Sequence, residues 1–195
     1  MNRILILFAH PLFEKSRVHK AMVKAIPDSS SILFHDLYER YPDFNIDIKA
    51  EQELLESHDI IVWQHPFYWY SIPPLLKQWI DMVLLYGWAY GPGGDALKGK
   101  VIFNAMSAGG RESVYAADGR NRFTIREFLA PLDQTARLCQ LNYLPPFVIH
   151  GTHILTPGEI KEYAEQYRRL LILMEGEQFK AEHYTGVKYL NEIVQ

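Results

Sequence analysis

Apolar residues fall along this chain in short dense runs, separated by stretches in which they recur at helical spacing. The runs are Ile4–Ala9, Ser31–His35, Asp59–Gln64, Lys100–Met106 and Pro146–His150. Helical patterns lie between or after them at Ser16–Ala25, Ile48–Ser57, Pro73–Leu85, Thr124–Leu141 and Gly158–Glu175. Such alternation predicts βαβ units. Ile4–Ala9 and Ile60–Trp63 are continuously apolar, which marks interior strands covered on both faces. The expected fold is α/β, a doubly wound five-stranded parallel sheet with helices on both faces. Residues 1–175 form one domain in this reading. The tail, 176–195, is polar and without clear period, either an interaction arm or a frayed end.

Sheets of this kind bind ligands outside the carboxyl ends of their strands, where strand order reverses. Three informative loops occupy such ends: His10–His19, Pro66–Ile72 and Ser107–Tyr115. The second contains Phe67, Tyr68, Trp69 and Tyr70 in succession, followed by a Pro-Pro step that opens a helix. A flat apolar ligand such as a flavin ring would shield these aromatics. The same residues could instead plug a core or a dimer seam, and this segment alone leaves both readings open.

The first loop enters a helix whose first turn holds Ser16, Arg17 and His19. A phosphate suits that position, because a helix start offers unpaired N–H groups, a favourable dipole, a hydroxyl and a guanidinium. The alternative is an ordinary capped helix with Arg17 in solvent. His10, before Pro11, could donate to a phosphate or a ring oxygen, or serve structure alone. In the third loop Gly109 and Gly110 allow a backbone to approach a planar ligand, with Ser107 beside them. No GxGxxG, P-loop, HExxH or GxSxG is present, which weakens dehydrogenase, ATPase, zinc-hydrolase and serine-hydrolase readings. No metal site emerges.

Composition narrows the partners. The chain has 195 residues, 48% of them hydrophobic, enough for one sizeable core. Net charge is −3 with both signs interspersed, so nucleic acid is not an expected partner. One cysteine, Cys139, rules out an internal disulfide and reads as a core residue. Without a signal-peptide pattern or a run of roughly 18 apolar residues, the expected compartment is the cytoplasm, with any membrane link made through a partner.

Longer blocks carry a resemblance. AHP with a serine six residues after His10, DLYERYPDFNIDIKAEQELL, WQHPFYWYSIPPLLKQWIDMVL, GWAYGPGG and the Gly-Gly loop resemble the flavodoxin-like NAD(P)H:quinone oxidoreductases. Within that family the likeness is greatest to the ancillary subunits of bacterial glutathione-gated potassium efflux systems. It spans roughly residues 3–175.

The resemblance implies a flavodoxin-like fold and an FMN cofactor, with FAD as the alternative. It further implies NADPH or NADH as electron donor, a quinone or similar acceptor, a homodimer, and a potassium efflux transporter as a possible partner, with a mainly non-catalytic flavin-binding regulatory subunit of that transporter as the alternative function. Two electrons would pass as hydride in ping-pong fashion. By the same resemblance His10, Ser16, Arg17, Val18 and His19 hold the flavin phosphate and ribityl chain. Pro66, Phe67, Tyr68, Trp69 and Tyr70 pack on the ring, and Ser107, Ala108, Gly109 and Gly110 face its polar edge. Tyr115 and Tyr70 are the implied catalytic residues. Tyr86–Gly94 and part of Arg111–Phe123 are implied to roof the partner's site. Four positions depart from the family: Ser107-Ala108 replaces Thr-Thr, Asn121 stands where a histidine follows the tyrosine in animal quinone reductases, and His19 replaces a frequent Asn.

Overall fold

The structure, a computed structural model, describes residues 1–194. Its strands are β1 (Ile4–Phe8), β2 (Ile32–Asp36), β3 (Ile60–Pro66), β4 (Val101–Ala108), β5 (Asn142–Tyr143) and β6 (Phe147–His150). They form one parallel sheet in the order β2-β1-β3-β4-β5, with β6 also on β4. Strand order therefore reverses between β1 and β3, where a doubly wound sheet places its ligand crevice. The expected fifth strand comes in two pieces, because Pro145 and Pro146 lack the N–H groups that would continue the ladder.

Two helical layers cover the sheet, and strand periodicity assigns each its residues. Leu5, Leu7, Ile61, Trp63, Ile102 and Met106 pack with residues of α3 (Ile48–Glu56), α4 (Pro74–Val83) and α6 (Ala130–Leu138). On the other face Ile4, Ile6, Ile60, Val62, Phe103 and Ala105 pack with α1 (Arg17–Ala25) and α7 (Pro157–Glu175). Every β1 and β3 residue is buried, as continuous apolarity requires. A four-residue α2 (Leu37–Arg40), absent from the helical pattern, is capped by Asp36, whose side chain accepts from the N–H groups of Tyr38 and Glu39.

The helix expected over Thr124–Leu141 is broken into α5 (Ile125–Phe128) and α6. Pro131 is responsible: it has no N–H, and its ring would clash with the carbonyl of Glu127 in a continuous helix. Past α7 the chain turns back instead of leaving the domain. Leu190 is fully buried in the α1/α7 layer, a contribution of about 2 kcal/mol. The Asn191 Oδ1 accepts from Val148 N at 2.9 Å, and the Arg169 Nη2 donates to Val194 O at 2.7 Å. No helix among the described residues is long and apolar enough to cross a membrane.

Candidate active site

The carboxyl ends of β1, β3, β4 and β6 open into one cavity of about 720 Å³. That volume lies within the range of small-molecule and cofactor pockets. His10, Ser16, Arg17 and Val18 line one end. Pro66, Phe67, Tyr68, Trp69 and Tyr70 form a wall, with Ser107, Gly109, Gly110 and Tyr115 on the other side. His19 and Ala108 are fully buried and do not line it.

At the first end, Ser16 caps α1 by accepting from His19 N at 3.1 Å. Arg17 and Val18, at the first two helical positions, have N–H groups that no helical carbonyl can reach. His10 Nδ1 accepts from the backbone N–H of Leu12 at 3.2 Å. Burial lowers its pKa, so the neutral ring carries its proton on Nε2 and donates from there. Lys15 lines the same end. The Arg17 Nη2 also donates to Thr152 O at 3.2 Å and Leu155 O at 2.9 Å, tying the loop after β6 to the start of α1. A dipole end, two basic side chains and a cap hydroxyl together make an anion seat.

The aromatic wall rests on an uncommon turn. Ser71 N donates to Tyr68 O at 3.0 Å, and the two central residues, Trp69 and Tyr70, have φ of 47° and 64°. Positive φ at both positions belongs to a turn that ordinarily takes Asn-Gly, so the aromatic pair is held at a conformational cost of order 1–3 kcal/mol per residue. The turn leaves Trp69 92% exposed, with Tyr68 and Tyr70 partly so. Phe67 is instead buried and meets Tyr115 edge-on at 5.9 Å between ring centroids.

On the third side, two glycines allow close approach of side chains. A Cβ on Gly109 would stand 2.7 Å from His153 Nε2, and one on Gly110 would stand 2.7 Å from Val114 Cγ2. Tyr115 is buried, and burial raises its phenol pKa against the opposing Gly110 backbone. It is a neutral donor at physiological pH. The Tyr70 hydroxyl donates to Asn121 Oδ1 at 3.4 Å, so Asn121, at the departing histidine position, does reach the cavity.

Behind the wall two polar chains stiffen the strand ends. On one face of the sheet Tyr143 Oη donates to Asn104 Oδ1 at 2.5 Å, and Asn104 Nδ2 donates to His65 Nε2 at 2.8 Å. That arrangement leaves the His65 proton on Nδ1, 3.0 Å from Pro66 O, which locks the end of β3 below the aromatic turn. Burial pushes the His65 pKa down to about 4. On the other face His19 Nε2 lies 2.9 Å from Ser107 Oγ, and burial holds its pKa well below the ordinary value.

Several cavity residues fall outside the three loops singled out by the sequence. Thr152 and His153 come from the loop after β6, and Arg120 and Asn121 from the segment beyond Tyr115. Gly151-Thr152 directly after the Pro146–His150 run was the available signal for a fourth strand-end loop. Cys139 is buried, and burial pushes its thiol up to about 11, as befits a core residue.

This fold and cavity define a flavodoxin-like α/β protein, and residues 2–171 match the family described as flavodoxin-like fold. The chain belongs to that family. Among its relatives, the uncharacterized NAD(P)H oxidoreductase YdeQ of Bacillus subtilis (strain 168) is 46% identical over 165 residues, covering 85% of this chain and 84% of that protein. General stress protein 14 from Treponema denticola, solved in complex with FMN, is 44% identical with a TM-score of 0.83, covering 87% of this chain and 98% of that one. An NADPH-quinone reductase from P. pentosaceus is 31% identical with a TM-score of 0.78, covering 86% and 96%.

Proposed function

We propose that the protein is an FMN-dependent NAD(P)H dehydrogenase acting on quinones or similar acceptors. One observation carries the reading: a single cavity joins an anion seat at a helix start, an aromatic wall and a glycine edge. Each matches one part of FMN, and relatives described as an FMN-bound protein, an NAD(P)H oxidoreductase and an NADPH-quinone reductase support it. When bound, FMN supplies two-electron chemistry, accepting hydride from NAD(P)H and delivering it to the acceptor.

The chain's own residues bind, orient and donate. The N–H groups of Arg17 and Val18, the Ser16 hydroxyl, His10 Nε2–H and the Arg17 charge would hold the phosphate at the start of α1. Pro66 through Tyr70 hold the ring and exclude water from one side. Gly109 and Gly110 bring backbone close to its polar edge. Tyr115, a neutral phenol, donates to the acceptor oxygen as negative charge develops there. Tyr70, whose hydroxyl lies near Asn121, completes the acceptor side. One cavity serves donor and acceptor in turn, hence ping-pong kinetics.

A homodimer is part of this proposal. Met82, Leu85 and Tyr86 are exposed near the Tyr86–Gly94 turn, an apolar surface suited to a second copy. Work in the cytoplasm accords with the nicotinamide donor. Docking to a potassium efflux transporter rests on the resemblance of the central sequence block alone, and pull-down with the transporter's cytoplasmic domain tests it. The cofactor assignment is tested by heat release: FMN is expected, whereas FAD, or a colourless protein that neither flavin reconstitutes, contradicts it.

A further inference from the structure

A chain of buried polar groups runs from the middle of α7 to the cavity wall. Tyr167 Oη lies 2.9 Å from Gln64 Oε1, Gln64 Nε2 lies 3.5 Å from His19 Nδ1, and His19 Nε2 lies 2.9 Å from Ser107 Oγ. Tyr167, Gln64 and His19 are all fully buried, whereas Ser107 lines the cavity. Strand periodicity assembles the chain: Gln64 follows Ile60 and Val62 on the face covered by α1 and α7, and Ser107 follows Phe103 and Ala105 on the same face. Polar groups interrupting an otherwise apolar layer are costly unless paired, so their arrangement calls for an account.

Two proton directions would satisfy the chain, and its far end chooses between them. A phenol buried beside a carboxamide can donate to the carbonyl or accept from the N–H₂. Tyr167 has no other partner among the described residues, and a phenol is the better donor. Donation to Gln64 Oε1 turns the amide N–H₂ toward His19 Nδ1, which makes that nitrogen the acceptor. His19 then carries its proton on Nε2 and donates to Ser107 Oγ. With its lone pair engaged, the Ser107 hydroxyl has its own proton free to point into the cavity. In the opposite direction Ser107 would donate backward to His19 and offer the ligand only an acceptor.

We propose that Tyr167, Gln64 and His19 are positioning residues that set Ser107 as a hydrogen-bond donor to the bound cofactor. The proposal rests on the FMN reading above and deepens it: His19 acts on the cofactor through Ser107 and never touches it. Burial of His19, which keeps its ring neutral, sustains the relay. Thus a residue of α7, outside the cavity, controls the polarity of one point on its wall.

Two measurements on the FMN-loaded protein test this. Long-range proton–nitrogen NMR reads the His19 tautomer directly: Nε2–H is expected in the wild type, with Tyr167→Phe moving the population toward Nδ1–H. Fluorescence titration gives the FMN dissociation constant, expected to rise about three- to tenfold in Ser107→Ala and in Tyr167→Phe, with little further loss in the double variant. An Nδ1–H tautomer in the wild type, or losses that simply add, would overturn the relay. Should Tyr167→Phe fail to fold, the wild-type tautomer decides alone. Failure of the wild type to bind FMN defeats the functional reading instead, and the tautomer still reports on the relay.

Discussion

Removing the Arg17 guanidinium probes the anion seat in a way that yields a number. Arg17 is exposed at the start of α1, and its Nη2 donates to Thr152 O and Leu155 O. Arg17→Ala therefore removes a positive charge from the proposed phosphate seat and unclamps the loop after β6. A unit charge pair about 4 Å apart is worth about 1 kcal/mol in water and about 4 kcal/mol at an effective dielectric of 20. Solvent exposure puts this pair at the lower end. Loss of the two carbonyl contacts adds less than about 1 kcal/mol, because water replaces them. The sum, about 1–2 kcal/mol, weakens FMN binding by about five- to thirtyfold. The assay is quenching of FMN fluorescence at low and high salt. The variant's deficit should be largest near 50 mM and should shrink by roughly half near 300 mM, since screening weakens only the wild type's extra charge contact. A deficit independent of salt reduces Arg17 to a clamp. An unchanged dissociation constant refutes the phosphate placement.

Other outcomes follow from the same geometry. Tyr115→Phe should slow reoxidation by quinone about tenfold, or about 1.4 kcal/mol, and leave reduction by NADPH intact; stopped-flow study of each half-reaction checks this, and an equal fall in both rejects the role. Burial pushes His65 from its ordinary 6.5 to about 4, so the unfolded chain binds a proton that the native site refuses. Stability is therefore complete above about pH 6.5 and is lost as pH falls toward 4, and urea melts of wild type and His65→Gln should show a shallower acid loss in the variant. Glu51 is buried and accepts from Trp79 Nε1 at 2.7 Å, Tyr41 Oη at 2.6 Å and His35 Nε2 at 2.8 Å. Trp79→Phe should cost about 1–3 kcal/mol of stability by urea melt, without altering FMN affinity.

The sheet was legible because its signal is local and redundant. Continuous apolarity at Ile4–Phe8 and Ile60–Trp63 identifies interior strands whatever lies around them. Where one or two prolines decide, as with Pro131 in the α5–α6 break or Pro145-Pro146 between β5 and β6, a pattern averaged over a window misses the interruption. The tail shows a second limit: Leu190 and Val194 dock as isolated apolar residues, which no period announces. Within the site, residues that the sequence marks at strand ends do line one cavity, as with the Phe67–Tyr70 run and Gly109-Gly110. Arg120 carries no such mark and enters only through folding. His19 shows the converse. Its place beside Ser16 suggested a direct contact, yet helical geometry turns its side chain inward to Ser107.

Anaerobic stopped-flow spectroscopy of the FMN-loaded protein tests the central claim most directly. Adding NADPH or NADH should bleach the oxidised flavin band with saturation kinetics, and subsequent mixing with a simple benzoquinone should restore it fully in one two-electron phase. Flavin that stays oxidised with both nucleotides, or reduced flavin that the quinone leaves unchanged, would contradict the account.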